Sequence, residues 1–529
     1  MSNKVPDNGR AEYNTSYKVG QDNVQFLGLD VLNPVFSTSA IIIFAFILGS
    51  ILFPADASAL LSAGKSWSIN NFDWFFMIAG NIFVLFCLLL IVLPLGKIRL
   101  GGTEAKAEHS TITWFSMLFA AGMGIGLMFW SVAEPVGYYT AWYGTPFDVV
   151  ARTPEAKDLA MGATMFHWGL HPWAIYAVVG LSLAFFAYNK GLPLTIRSAF
   201  YPLLGEKVWG GVGHVIDVIA VIATIFGLAT SLGFGAQQAT GGLNFLFGIP
   251  NTLMTQIVVI CAVTAVAIIS VARGLEGGVK LLSNVNMIIA GGLALFIVIV
   301  GNTGTIFAAM GSYFLNYVEN IIPLSNWIGR DDETFYHGWT VFYWAWWISW
   351  SPFVGMFIAR VSRGRTVREF VVAVLLVPTV VSLVWMSIFG GSALEQVENG
   401  VGSLANGITD SSLAMFQMFA SLPLTSLTSF VGIILVLVFF VTSSDSGSLV
   451  IDGITAGGKT DAPMIQRVFW AVLEGIIAIA LLVGGGSDAL GAIQAAAITI
   501  GLPFTVLMLI MCVSLWKGLH SDMHLYKKP

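Results

Sequence analysis

The sequence has few charged residues and few cysteines, and each shortage excludes a class of protein. Only 10% of the 529 residues are Asp, Glu, Lys or Arg, whereas soluble domains average about 25%. The net charge of −5 is small and dispersed, so no nucleic-acid partner is indicated. The three cysteines, Cys87, Cys261 and Cys512, lie in apolar runs without disulfide or zinc-ligand spacing. No apolar run follows the start methionine, and we expect no cleavable signal peptide.

Long apolar runs account for most of the remaining sequence. Hydrophobic residues make up 56% of the chain, and the mean hydropathy is +0.82. Twelve stretches approach the roughly 20 residues that a hydrocarbon core of about 30 Å requires. They lie near 35–53, 73–95, 113–138, 162–188, 211–238, 255–272, 284–308, 337–359, 370–392, 427–450, 465–484 and 490–515. The sequence therefore predicts an all-α polytopic membrane protein with 12 transmembrane helices. Segments 312–328 and 408–423 are shorter and amphipathic, which predicts helices on the membrane surface.

The basic residues predict the orientation. Twelve spans place both termini on one side, and 20 of the 24 Lys and Arg residues fall on that side. By the positive-inside rule both termini are cytoplasmic. We expect a multi-pass protein of a bacterial-type plasma (inner) membrane, in contact with its lipids.

Tryptophan is concentrated in the middle of one predicted span, in WTVFYWAWWISWSPF at 339–353. On a helical wheel Trp344, Trp347 and Trp350 form one stripe, whereas interfacial tryptophans occupy span ends. One interpretation is helix packing with interfacial anchoring. The other is a wall of indole faces for an organic cation, which suits a quaternary ammonium because that group donates no hydrogen bond. The proline at 352, which removes a backbone hydrogen bond, favours the second interpretation.

A second aromatic group lies in the fourth span, in MFHWGLHPWAIY at 165–176. On one continuous helix Trp168, Trp173 and Tyr176 would share a face, and with Trp347 they could surround a methylated ammonium. The neighbouring His167 and His171 lack a cysteine or carboxylate at ligand spacing, so no metal site is expected.

The third span contains a cluster of glycines, in FAAGMGIGLMFWSVAEP at 119–135. Gly122 and Gly126 form a GxxxG, which is typical of close helix packing. The alternative is a broken helix whose freed backbone groups meet a carboxylate and an ion. Glu134, at the end of this span, is compatible with a structural or a functional role.

Hydroxyl groups cluster near the end of the tenth span, in FFVTSSDSGS at 439–448. They could bond back to the preceding turn, or serve as oxygen ligands of a hard cation such as Na⁺. Three acidic residues, Asp217, Asp445 and Glu474, lie within or near spans and require protein or water around them. No nucleotide-binding loop, metal set or nucleophile with a base indicates an enzyme.

Four stretches of the chain resemble the betaine/choline/carnitine transporter family, and the resemblance extends from about Asn33 to Leu515. They are GMGIGLMF with the following EP, FHWxLHPWAIY, WTVFYWAWWISWSPFVGMFIARVSRGRTVREF and VTSSDSGS. The resemblance implies a leucine-transporter-like fold of two inverted five-helix repeats after two extra N-terminal helices, assembled as a homotrimer. The implied divisions are a polar cytoplasmic tail at 1–32, two helices at 33–112, a first repeat at 113–311, an amphipathic surface helix at 312–336, a second repeat at 337–516 and a short tail at 517–529.

The resemblance also implies site residues, position by position. The substrate site would comprise Trp168, Trp173, Tyr176, Trp346, Trp347 and Trp350, with the glycines Gly122, Gly124 and Gly126. A sodium site would comprise Ala120, Met123, Phe439, Thr442 and Ser443. Thr224 and Phe353 match a second sodium site, but Leu228 replaces its other threonine, so a stoichiometry of two is not implied.

The implied function is secondary active transport, by Na⁺ symport, of a quaternary-ammonium or related zwitterionic solute such as glycine betaine. Osmoprotection is one expected use, and no cofactor other than the coupling ion is expected. Gly126 stands where proton-coupled choline transporters of the family carry an acidic residue, which favours a zwitterion. Residues 215–238 contain no Arg or Lys, whereas sodium-independent exchangers place an arginine there. The alternatives are proton-coupled choline or betaine uptake and carnitine-type exchange.

Overall fold

The computed structural model describes residues 9–122, 124–273, 279–485 and 488–526. Helices form most of it, preceded by strands β1 (Asn23–Phe26) and β2 (Leu29–Leu32). The helices are α1 (Asn33–Leu52), α2 (Pro54–Val92), α3 (Thr111–Gly122), α4 (Ile125–Tyr139), α5 (Pro154–Trp168), α6 (Leu170–Tyr188), α7 (Tyr201–Leu204), α8 (Gly211–Phe247), α9 (Leu253–Arg273), α10 (Val279–Val300), α11 (Thr303–Ser325), α12 (Glu333–Phe335), α13 (Phe342–Val361), α14 (Val367–Glu398), α15 (Ala414–Phe419), α16 (Thr425–Thr455), α17 (Met464–Gly485) and α18 (Ala489–Asp522).

Among the described residues, ten helices are long and apolar enough to cross a membrane. An eleventh span results if α3 and α4, whose axes differ by 64° across the glycine cluster, count as one broken helix. The chain is therefore a mostly helical, polytopic membrane protein. Helix α13 is 20 residues long, which corresponds to about 30 Å, although its four tryptophans and one tyrosine leave it outside the ten most hydropathic spans.

The tryptophan-rich helix α13 lies at the centre of the described fold. It packs against α6, α8 and α18, and most of its side chains are buried, including Tyr343, Trp344 and Trp346. A six-residue π-helix, Tyr336–Val341, leads directly into it. Pro352 does not interrupt it, because α13 continues to Val361.

Several predicted boundaries are also wrong. Helix α2 begins at Pro54, so the polar stretch expected to link the first two spans is helical. The seventh span ends at Val300, and the next helix begins at Thr303, nine residues before the predicted amphipathic segment. That helix buries Tyr313 and Tyr317 and exposes Phe314 and Val318. The final helix continues to Asp522, into the predicted C-terminal tail.

The part of the predicted polar tail closest to the first span, residues 23–32, forms a β-hairpin. Strands β1 and β2 pair antiparallel through Leu27 and Gly28, whose positive φ angles of 47° and 81° suit a two-residue hairpin. Asn23 donates to the Ala456 carbonyl at 2.9 Å, and Lys459 pairs with Asp30. The hairpin is therefore attached to the end of α16. This strand pair is the departure from the predicted all-α fold.

Candidate functional site

A helix break positions the aromatic residues of the fourth span. Trp168 is the last residue of α5, and α6 begins after Gly169. A Cβ at position 169 would lie 2.6 Å from the Met165 carbonyl oxygen and 2.7 Å from the Tyr317 hydroxyl. That hydroxyl accepts a hydrogen bond from the Leu170 amide at 2.8 Å. Glycine is therefore required at the break, and the single continuous helix that the wheel argument assumed is wrong.

The structure nevertheless brings Trp168, Tyr176 and Trp347 together. The Trp168 and Trp347 ring centroids are 5.0 Å apart at an interplanar angle of 87°. Tyr176 and Trp347 are 5.7 Å apart at 84°, so both rings of the fourth span stand nearly perpendicular to Trp347. Trp173 contacts Tyr176 at 5.2 Å, and Trp346 stacks beside Trp347 at 5.4 Å. These residues form one group, which we call the aromatic cluster: Trp168, Trp173, Tyr176, Trp346 and Trp347.

The tryptophan N–H groups near the cluster are largely bonded to protein. Trp347 donates to the His167 carbonyl at 3.0 Å, and Trp350 to the Gly227 carbonyl at 2.7 Å. Trp346 donates to the Ser231 hydroxyl at 3.3 Å. With their N–H groups bonded to protein, these tryptophans would contact a ligand through their ring faces. Aromatic ring faces attract cations. Trp350 lies beyond the cluster, where its ring contacts Phe353 at 5.4 Å.

One predicted glycine lies directly against the cluster. A Cβ at Gly126 would be 2.8 Å from Trp346 and 2.9 Å from Trp168. Gly124, in extended backbone, has no neighbour within 4 Å of such a Cβ. Gly122 ends α3, and Met123 lies outside the described residues. The helix break and the aromatic cluster are therefore adjacent at Gly126.

The predicted sodium ligands lie on α3 and α16. Ala120 belongs to the last turn of α3, and Phe439 is buried on α16. The Thr442 hydroxyl is 3.0 Å from the Val438 carbonyl and 3.2 Å from the Phe439 carbonyl, so it bonds back to the preceding turn. The half-buried Ser443 follows it.

Helix α16 also lies near the restart of the broken helix. A Cβ at Gly235 of α8 would be 3.1 Å from Phe440 and 3.2 Å from Ile125, the first residue of α4. The hydroxyl-rich turn and the break therefore approach the same position on α8.

The second predicted ion position is largely filled by protein. Thr224 is buried, and its hydroxyl donates to the Ala220 carbonyl at 2.7 Å. The Leu228 side chain packs so closely on α16 that a Cβ at Gly447 would lie 2.3 Å from it. Phe353 is half-buried, and its ring contacts that of Trp350 at 5.4 Å.

Glu134 is the site feature that sequence reasoning left undecided. Its carboxylate is fully buried and accepts hydrogen bonds from Trp168 Nε1 at 2.6 Å and Tyr343 at 2.6 Å. The other carboxylate oxygen meets the Tyr138 hydroxyl at 2.8 Å and His167 Nδ1 at 3.1 Å. Tyr343 itself was missed, although the spacing of positions 343, 346, 347 and 350 places them on one helical face.

Other residues singled out in the sequence lie outside the cluster. Trp344 faces away from it and stacks on His171 at 5.3 Å. Asp217 forms a buried ion pair with Arg197 at 3.2 Å. Glu474 accepts from Ser444, and Asp445 accepts from Ser270 at 2.6 Å. Each acid thus has at least one oxygen bonded to protein, whereas Glu474 Oε1 has no hydrogen-bond partner among the described residues.

Comparisons with known proteins agree on one family. The family model described as BCCT, betaine/carnitine/choline family transporter, matches residues 34–524. Glycine betaine transporter 1 of Vibrio parahaemolyticus is 63% identical over 513 residues, covering 96% of this chain and 97% of the relative. A glycine betaine/proline/choline/ectoine transporter of the same organism is 59% identical, with 98% and 93% covered.

A more distant relative extends the same pattern. Glycine betaine transporter OpuD of Bacillus subtilis is 42% identical, covering 92% of this chain and 94% of the relative. A solved manganese transporter of Eremococcus coleocola shares 13% identity at a TM-score of 0.40, covering 81% of this chain and 90% of the other. The family model and the three relatives cover nearly the whole chain, and the chain belongs to the betaine/carnitine/choline family of transporters.

Proposed function

We propose that this protein is a secondary active transporter that imports a zwitterionic quaternary-ammonium solute such as glycine betaine by Na⁺ symport. The observation that carries the proposal is the aromatic cluster, in which Trp168 and Tyr176 stand perpendicular to Trp347. The names of the 63% and 42% identical relatives, both glycine betaine transporters, support this substrate class. Import of such a solute would serve osmoprotection.

The chemistry of the cluster favours a methylated ammonium over a primary amine. A primary ammonium needs hydrogen-bond acceptors, whereas a quaternary ammonium needs only electron-rich faces and the exclusion of water. The N–H groups of Trp347 and Trp350 are bonded to backbone carbonyls, which leaves their faces available. We assign cation binding to the cluster and a place along the pathway to Trp350.

The substrate carboxylate is assigned to the glycine break. Gly124 has open space where a side chain would begin, and backbone N–H groups freed by a broken helix can bind an anionic group. Gly126 lies between this break and the rings and carries no acidic side chain, which supports a zwitterion over a lone cation. Gly122, at the end of α3, completes the assignment.

The coupling ion is assigned to α16 and the break. The Thr442 hydroxyl donates to backbone carbonyls, so its oxygen lone pairs remain for a hard cation such as Na⁺. Ser443, Phe439, Ala120 and Met123 complete the proposed ligand set. Leu228 presents an apolar side chain beside Thr224, which disfavours a second ion there and supports a stoichiometry below two.

The proposed architecture follows the family resemblance. Counting the broken helix and α13 with the ten hydropathic spans gives twelve, arranged as two helices at 33–112 and inverted repeats at 113–311 and 337–516. We propose a homotrimer in a bacterial plasma membrane, with both termini cytoplasmic. The charge asymmetry of the loops supports this orientation.

The sodium assignment is tested by the Na⁺ dependence of betaine uptake into proteoliposomes. Wild-type protein should give a saturable dependence with a Hill coefficient below two. Thr442→Ala with Ser443→Ala should raise the half-saturating Na⁺ concentration, because two oxygen ligands are lost. Thr164→Val, which removes a hydroxyl bonded within α5 at 2.8 Å, is the matched control. An unchanged Na⁺ dependence in the double variant would reject the site.

A further inference from the structure

Four polar side-chain groups lie within hydrogen-bond distance of the Glu134 carboxylate. Trp168 and Tyr343 donate to Oε2, both at 2.6 Å. Tyr138 lies 2.8 Å and His167 Nδ1 lies 3.1 Å from Oε1. An ionised carboxylate has about four lone-pair positions, and these four groups surround them; His167 Nδ1 also lies 2.9 Å from the Tyr138 hydroxyl. The arrangement fits the ionised form, which can accept all four bonds at once.

The hydrogen-bond donors around Glu134 are uncharged groups. They are one indole, two phenols and an imidazole, whose Nε2 is 2.9 Å from the Thr340 hydroxyl. If that hydroxyl donates to Nε2, the neutral tautomer with a proton on Nδ1 satisfies both neighbours. In that tautomer none of the four partners carries a positive charge to balance the fully buried carboxylate. A buried negative charge of this kind is costly unless it interacts with a cation.

The same carboxylate is joined directly to the aromatic cluster. Trp168 donates its N–H to Glu134, and its ring stands nearly perpendicular to those of Trp347 and Trp346, at centroid distances of 5.0 and 6.3 Å. Tyr343, which also donates to this carboxylate, contacts the cluster as well, because its ring centroid is 5.9 Å from that of Trp346. A strong hydrogen bond from the indole N–H to an anion increases electron density in the ring. It also fixes the plane in which the ring is held.

We propose that Glu134 is a specificity-determining residue that acts through Trp168: its buried charge makes the indole more electron-rich and holds it in the orientation that binds the substrate cation. The inference rests on the proposed function, since it requires a cationic group at the aromatic cluster. Glu134 is a positioning residue in this account, because the substrate meets the indole ring and not the carboxylate.

A double-mutant cycle tests this inference. Equilibrium binding of radiolabelled glycine betaine is measured for wild-type protein, Glu134→Gln, Trp168→Phe and the double variant, each purified and shown to be folded. Glu134→Gln should raise the Kd by roughly 2- to 30-fold, where the upper value corresponds to loss of one desolvated cation–π contact. In the Trp168→Phe background the same change should alter the Kd by less than about 2-fold, because phenylalanine has no N–H to donate. Equal losses in both backgrounds would overturn the proposal and make Glu134 a general packing residue.

A second substitution keeps the carboxylate and removes only the hydrogen bond. Replacing Trp168 by 3-benzothienylalanine preserves the size of the ring but not its N–H, and it should raise the Kd in the same range as Glu134→Gln. Tyr138→Phe, which removes a donor from the opposite carboxylate oxygen, should have a smaller effect. Unchanged affinity in the benzothienyl protein would refute the inference even if Glu134→Gln does not fold. Failure of wild-type protein to bind betaine would instead refute the proposed function.

Discussion

Adding one methyl group at Gly126 should disturb the aromatic cluster from the side of the helix break. The new Cβ would lie 2.8 Å from Trp346 and 2.9 Å from Trp168, whereas carbon atoms normally pack at about 3.5–4.0 Å. Both rings must therefore move outward by several tenths of an ångström or more. Overpacking of this kind costs about 1–3 kcal/mol. If the undisturbed arrangement is needed for binding, the Kd for betaine rises by roughly 5- to 150-fold.

The assay is betaine binding to the purified Gly126→Ala protein, alongside its thermal unfolding. Gly292→Ala is the matched control, because a Cβ at this exposed position of α10 meets nothing within 4 Å. We expect the control to bind like wild type. A folded Gly126→Ala protein with unchanged affinity would refute the reasoning, since the rings would then be displaced without consequence for the substrate.

Three further predictions concern charge, the cluster and the N-terminal hairpin. Gly126→Asp, compared with Gly126→Ala so that the steric effect cancels, should lower the betaine-to-choline affinity ratio in competition assays; an unchanged ratio would contradict the assignment. Trp347→Leu should weaken betaine binding by about 2- to 30-fold, with Trp347→Phe losing less, and equal binding would reject the cluster. Burial raises the pKa of Asp30, but hydrogen bonds from Lys459 and Asn23 outweigh it and hold this pKa below its ordinary 3.8. The ionised Asp30 therefore stabilises the folded protein above about pH 4, and this contribution is lost on further acidification. The difference in melting temperature between wild type and Asp30→Asn should be constant from about pH 5 to 8 and should vanish at lower pH.

The family and most of the spans could be predicted from the sequence because long apolar runs and extended motifs are local signals. The helix ends that were predicted wrongly depend on interactions that apolar runs do not reveal. Lys65 and Asn71 lie in the polar stretch before the predicted second span, yet α2 runs through both. Helical backbone hydrogen bonds do not depend on apolar side chains, so the helix extends beyond the apolar run. The break at Gly169 was not predicted, because the Tyr317 hydroxyl that excludes a Cβ there belongs to a helix about 150 residues further along the chain.

The Glu134 network could not be predicted for a similar reason. Its donors come from three helices, and the contact between Glu134 and Tyr343 joins residues 209 positions apart. A single carboxylate at the end of a span gives no indication of such partners. Tyr343 itself was within reach, because it shares a helical face with Trp347, whereas Trp344 lies on another face and packs against His171.

The most direct test of the proposed symport is accumulation of radiolabelled betaine by proteoliposomes that contain only this protein. An inward Na⁺ gradient is imposed in one sample and an inward H⁺ gradient in another, with no substrate inside. We predict accumulation above the external concentration with the Na⁺ gradient, and none with the H⁺ gradient alone. Accumulation that follows H⁺, or that requires substrate preloaded inside, would contradict sodium symport and indicate proton coupling or exchange.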